Sequence, residues 1–260
     1  MMRYTLSLAC LTVLVAQPVW AQSLMRRVLD GPDGPVQFSF ASRPGVCGDG
    51  ATFIRDGFGG TNRISEGGNF SGNSRGDDWP PCVPGPVRVI ASVNGSEILR
   101  IRTYAGPRRA GDAPPRDLGD VSVNDAADFL ARVIEQAHGR AANDAVLPLV
   151  LADITPWPAL LRFARDEQLP RGVRNNVAFW LARGATAKLG LADRDDDDDD
   201  VRASAVFALS QQPKEIAIPK LIEVARQAPH PAARAQALFW LGQSGDRRAI
   251  DLFDEILTRR

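Results

Sequence analysis

The sequence predicts an α+β chain in which a small, disulfide-stapled β module precedes an all-α helical solenoid. Three observations carry this reading: alternating apolar runs around an Asn94-Gly95 turn signal, two cysteines left over after an export leader, and self-similarity with a period near 30 in the C-terminal half. With 260 residues, 44% hydrophobic and 24% charged, the chain can bury a sizeable core. Its 31 Lys+Arg balance 31 Asp+Glu. This balance excludes the clustered basic excess by which nucleic-acid binders displace counterions. Two histidines and three cysteines leave little raw material for metal sites or for Ser/His and Cys/His devices. No catalytic residue, metal or cofactor is assigned.

Residues 1–21 read as a secretory signal. Arg3 gives a positive start, residues 6–15 an apolar stretch, and Val19-Trp20-Ala21 a small residue at the cut, so the mature chain is expected to begin at Gln22. An apolar stretch of about ten residues falls short of the roughly 20 that a spanning helix requires. The expectation is therefore a periplasmic or secreted protein with no membrane insertion after cleavage. Cleavage removes Cys10 and leaves Cys47 and Cys82, which are expected to pair in an oxidising compartment. The segment between them carries nine glycines from Gly48 to Gly76 and few large apolar residues, so it has high ordering entropy and little burial to offset it.

Residues 22–105 are expected to form the β module. Val36, Phe38 and Phe40 alternate as one strand, and residues 87–93 and 97–104 flank the turn signal as a hairpin. A three-residue loop, Val93-Asn94-Gly95, would pair Val89 with Leu99 and Val87 with Ile101. It would collect Arg88, Arg100 and Arg102 on the opposite face. Residues 106–123, with Pro107, Pro114 and Pro115 and no sustained period, are expected to be a linker.

Helices are expected from residue 124 to 260. Asn124-Asp125 would cap a helix carrying Ala127, Leu130, Val133 and Ile134 at helical spacing, and Asp144 would open a second. Beyond Pro156 the chain repeats itself. Phe179-Trp180-Leu181 recurs as Phe239-Trp240-Leu241, 60 residues later, and the leucine pair Leu160-Leu161 matches Leu221-Ile222, 61 later. Val173-Arg174, Val201-Arg202 and Ala233-Arg234 each open a helix, at spacings of 28 and 32, with a stunted helix at 186–193 leading into the middle copy. One such helix pair cannot bury its apolar face alone, so the copies are expected to stack as a solenoid.

The run Asp199-Asp200-Val201-Arg202-Ala203-Ser204-Ala205-Val206-Phe207-Ala208-Leu209 resembles the second helix of a HEAT repeat, and the short period is similar to the HEAT-like repeats of phycobiliprotein lyases. The resemblance covers residues 124–260. It implies a HEAT-like α-solenoid and a protein-binding scaffold, and the whole chain looks like exported bacterial HEAT-repeat proteins. Iron-dependent hydroxylases of this architecture need repeated His-Glu pairs, which this sequence lacks, and its repair glycosylases need a basic groove.

The aspartates at 195–200, with Asp193, read as an expanded turn before a helix whose N-terminal dipole favours negative charge, since the spaced Asp-x-Asp-x-Asp-Gly pattern of a Ca²⁺ loop is absent. Counting 100° per residue places Trp180 and Trp240 on buried arcs. Asn176, Ser204 and Gln236, with Arg183, Gln211 and Gln243, fall on the opposite arc, and Phe179, Phe207 and Phe239 fall among them. Two readings stand for the phenylalanines: an aromatic ladder that anchors a partner, or packing against the neighbouring repeat. The leading function is a noncatalytic scaffold binding an unidentified protein partner through the repeat surface. The alternative is an enzyme or small-ligand sensor with its site in the Gly-rich β module.

Overall fold

A computed structural model describes residues 23–65, 68–71, 81–108, 116–191 and 199–258. A short helix, α1 (Leu24–Leu29), leads into β1 (Gly34–Phe40), β2 (Val46–Gly48), β3 (Phe53–Asp56), β4 (Thr61–Ser65), β5 (Gly68–Ser71), β6 (Val83–Pro84), β7 (Val87–Asn94), β8 (Glu97–Ala105) and β9 (Arg116–Asp120). The helices that follow are α2 (Val123–Gln136), α3 (Arg140–Asp144), α4 (Val146–Leu151), α5 (Trp157–Arg165), α6 (Arg171–Lys188), α7 (Asp199–Ser210), α8 (Lys214–Gln227), α9 (Pro231–Ser244) and α10 (Arg247–Thr258). The strands make two sheets, ordered β8-β7-β1-β9 and β5-β4-β3-β2-β6.

The first sheet turns its apolar alternation toward α2. Val36, Phe38 and Phe40 are buried, and Phe38 meets Phe129 of α2 edge to face at 5.2 Å. Helix α2 starts one turn earlier than expected. Ser122 is its cap, accepting from the Asp125 N–H at 3.1 Å and donating to the Asp125 carboxylate at 2.7 Å. This satisfies an N-terminal donor reciprocally, which Asn124-Asp125 inside the helix could not do.

The β7–β8 hairpin exists in a different register from the one expected. Asn94 pairs with Glu97, so Gly95 and Ser96 form a two-residue turn, with Gly95 at φ 58°. Such turns need a residue that tolerates positive φ, and Gly supplies it. An extra residue on β8, Leu99, then shifts the ladder, so that Ala91 faces Ile101, Val89 faces Thr103 and Val87 faces Ala105. The bulge brings both Ile98 and Ile101, three residues apart, into the core and leaves Leu99 45% exposed. The three arginines share the outer face, but not as a bare stripe. Arg88 is buried with its guanidinium 4.9 Å over the Tyr104 ring and donates to the Gly50 carbonyl, while Arg100 pairs with Asp144.

The expected linker at 106–123 contains β9, a parallel neighbour of β1. Its Arg-Asp-Leu-Gly-Asp sequence shows no apolar alternation because hydrogen bonds hold it. Gln37 Nε2 donates to Asp117 at 2.9 Å, and the Arg116 guanidinium donates to the carbonyls of Arg27, Val28 and Asp30 behind α1. The second sheet fills much of the Gly-rich segment as a meander. Cys47 and Cys82 form a disulfide with Cα atoms 5.3 Å apart, tying β2 to the chain entering β6.

In the helical region, residues 186–188, expected to begin a stunted helix, are the last turn of α6. The three helix pairs are not stacked in chain order. Helix α6 packs on α9, and α7 packs on α9 and α8, so α9 lies between α6 and α7. Likewise α10 lies between α5 and α8: Arg165 of α5 reaches Asp251 and Asp254 of α10 at 3.0 and 2.8 Å, and Arg226 of α8 reaches Glu255 at 2.5 Å. Among α6, α7 and α9 the last helix in the chain is thus the middle one in space, and α10 is the middle one of the other layer. The α6–α9 seam is made by small residues. A Cβ on Gly242 would lie 2.7 Å from Ala182 Cβ and 3.1 Å from the Ala178 carbonyl oxygen. A single hydrophobic cluster runs from Leu24 in α1 to Leu257 in α10.

Candidate partner-binding groove

Helices α6 and α9 carry matching sets at positions i, i+3, i+4 and i+7: a carboxamide, Phe, Trp, and then Arg on α6 or Gln on α9. On α6 the set is Asn176, Phe179, Trp180 and Arg183; on α9 it is Gln236, Phe239, Trp240 and Gln243. That spacing places each set on one helical face. Because the two helices pack side by side, the sets line one groove of about 800 Å³. Six of the nine residues singled out in the sequence meet there: Asn176, Phe179, Arg183, Gln236, Phe239 and Gln243. The corresponding residues of α7 are Ser204, Phe207 and Ala208, with Gln211 one residue past its end. Phe207 stands at the rim, 47% exposed, with its ring 5.2 Å from that of Trp240. Gln211 is exposed beyond the groove, with its side chain donating to Ser210 Oγ, and the Ser204 side chain lies outside the described residues.

The two tryptophans differ. Trp180 is core, 3% exposed at the groove floor, as its arc requires. Trp240 is only half-buried and lines the groove between Phe207 and Phe239, whose rings lie 5.2 and 5.0 Å from its own. The Trp240 indole N–H meets no acceptor among the described residues.

The opposite wall comes from Asn62 of β4, Ile101 of β8, Asn143 and Asp144 of α3, and Leu147 of α4. None of these was legible from the sequence, since no local spacing links them to the repeats. The Asn176 side chain bridges the walls, donating to the Asn143 carbonyl and side-chain oxygens, each at 3.1 Å. Asp144 accepts from the Ile101 N–H and from Arg100 Nε, both at 3.4 Å. Burial pushes its carboxyl above the usual range, and those two donors only partly offset it.

Arg183 has a second task. Its Nη2 lies 3.3 Å from Asp56 Oδ2 and donates to the Phe58 carbonyl. Asp56 is fully buried and also accepts from the N–H groups of Phe58 and Gly60 and from the Asn62 side chain. Both charges at the groove, Arg183 and Asp144, therefore have partners of opposite sign in the walls, and the remaining polar lining consists of carboxamides.

The other notable side chains lie elsewhere. His138 borders a second cavity of about 150 Å³ near the hairpin tip, and His230 stands at the N-cap position of α9 without a side-chain capping bond. Of the acidic run, Asp199 and Asp200 open α7, while Asp193 and residues 195–198 lie outside the described residues. Among the described residues no group of three or more His, Cys, Asp and Glu could hold a metal, and no helix is long and apolar enough to cross a membrane.

No curated protein and no solved structure matches the chain. A family model described as HEAT repeats matches residues 186–260, from the last turn of α6 through α7, α8, α9 and α10. The protein therefore carries a HEAT-repeat domain at its C-terminal end, behind a two-sheet, disulfide-bonded β module.

Proposed function

We propose that the chain is a noncatalytic scaffold of the bacterial periplasm or exterior that seats a protein partner in the groove between its repeat helices and its β module. HEAT repeats are commonly protein-interaction scaffolds, and the observation that supports this use here is the recurrence of a carboxamide, Phe and Trp at the same spacing on the adjacent helices α6 and α9. Aromatic side chains in a desolvated centre with a polar surround are the usual anchors of protein interfaces. The leader-like residues 1–21 and the disulfide support the exported location.

The rival reading, a site in the Gly-rich β module, has less to draw on. Its two buried carboxylates are taken up by the fold: Asp49 by the N–H groups of Ala51, Thr52 and Phe53, Asp56 by Arg183 and three further donors. Affinity capture from native periplasm with the mature chain as bait tests the proposal. A partner retained by the wild type and lost with Gln236→Ala/Gln243→Ala, at unchanged melting temperature, is the expected result. Equal retention by both baits contradicts it.

A further inference from the structure

The proposed partner-binding groove has a repeat distance, and that distance selects the conformation of what it holds. Close packing at Gly242 sets the α6 and α9 axes within the range of about 8–10 Å found for packed helices, and α7 follows on the other side of α9. A segment crossing three helices packed in that range advances about 9 Å from one to the next, meeting the helix of Phe179, then that of Phe239, then that of Phe207. The Phe239 and Phe207 rings stand 5.0 and 5.2 Å from Trp240, on either side of it. A β-strand returns a side chain to the same face every second residue, about 6.8 Å, which falls out of step after one helix. A polyproline II segment returns to the same face every third residue, about 9.3 Å, and stays in step.

The chemistry agrees with the spacing. A polyproline II backbone makes no internal hydrogen bonds, so its carbonyls are open to outside donors. Gln236 and Gln243 flank the aromatic pair of α9 and carry two N–H donors each; among the described residues neither side chain has a partner. Aromatic-lined grooves take proline rings, whose backbone is already ordered before binding. The two charges in the groove are matched internally, Arg183 by Asp56 and Asp144 by Arg100, which suits an uncharged segment. We infer that the groove recognises an uncharged, proline-rich segment of a protein partner in the polyproline II conformation, three residues to each helix. This inference rests on the scaffold reading above.

The test is calorimetric titration of the mature chain with nonaproline and hexaproline peptides, and with chitotetraose as a neutral sugar. Nonaproline is expected to bind, and hexaproline to bind several-fold more weakly because it spans two helices. Phe239→Ala should weaken nonaproline at least tenfold, and Phe207→Ala should abolish the advantage of nonaproline over hexaproline. Gln236→Ala, a polar substitution with unchanged melting behaviour, should also weaken nonaproline, which separates lost recognition from lost folding. Binding of chitotetraose in place of the peptides, or nonaproline binding indifferent to all three substitutions, overturns the inference. Silence of nonaproline overturns it too. If a captured protein is then still lost with Gln236→Ala/Gln243→Ala, the scaffold reading stands without it; if no partner depends on these residues, both fall.

Discussion

Arg183 Nη2 and Asp56 Oδ2 lie 3.3 Å apart across the boundary between α6 and the second sheet, and the carboxylate is wholly buried. The pair fixes the β module against the repeat helices and so sets the width of the groove that Arg183 also lines. Gly60 is part of the same fit, since a Cβ there would fall 2.7 Å from Asp56 Oδ2 and closer still to the Arg183 guanidinium.

Removing the cation leaves a buried carboxylate with three neutral donors. Breaking a buried pair from one side costs about 3–5 kcal/mol, and the remaining donors place Arg183→Gln near the lower end. Urea unfolding should therefore show a loss of about 3 kcal/mol, with Asp56→Asn/Arg183→Gln less unstable than the sum of the single variants. Strict additivity would mean that the two residues do not act as a pair.

The unusual stacking order makes opposite predictions for two glycines. Gly242 sits at the α6–α9 seam, where an added methyl collides with Ala182, so Gly242→Ala should destabilise by about 1–3 kcal/mol despite its higher helix propensity. Gly172, also helical, has open space around it, and Gly172→Ala should stabilise by about 0.5–1 kcal/mol. Thermal melts of the two variants should shift in opposite directions. An upward shift for Gly242→Ala would place α9 away from α6.

Asp49 should dominate part of the acid limb of stability. Burial pushes its carboxyl up, but the Thr52 side chain and the N–H groups of Thr52, Ala51 and Phe53 outweigh this and hold it at about 2, below the usual 3.8. A carboxylate depressed in the folded state contributes stability that is present above the unfolded value, near 3.8, and is lost as pH falls toward about 2. Asp49→Asn should flatten unfolding free energy across that window, and at neutral pH it should cost about 1–3 kcal/mol through the N–H groups it serves less well. A variant whose acid limb matched the wild type would remove Asp49 from this role.

The disulfide closes a 35-residue separation, which the chain-entropy model values at about 4 kcal/mol. Nonreducing peptide mapping should recover the Cys47–Cys82 link, and Cys47→Ser/Cys82→Ser should lose roughly that stability. Two freely alkylated thiols in the native protein would contradict the pairing.

The legible part of this fold was what repeats or alternates. Val36, Phe38 and Phe40 announced β1, and the 60-residue recurrence of Phe-Trp-Leu announced both repeat helices and the face on which the groove lies. The hairpin register was not legible, because a bulge at Leu99 obeys the needs of Ile98 and Ile101 in the core rather than any local pattern. Strand β9 carries no alternating pattern because polar side chains hold it by hydrogen bonds. Spatial order of the helix pairs was likewise hidden: a period reports that units are alike, whereas long-range contacts such as the small-residue seam at Gly242 decide which units touch. Asn143 and Asp144 reach the groove through the long-range docking of α3 on β8, which leaves no local trace.

Site-specific photocross-linking tests the central claim, that the groove is where the protein meets its partner. A photoreactive phenylalanine at position 239, inside the groove, is compared with one at 223 on α8, where Glu223 is exposed outside it. An adduct to one protein from position 239 and none from 223 is the expected result. Adducts from 223 alone would contradict it and place the interface on the opposite layer of helices.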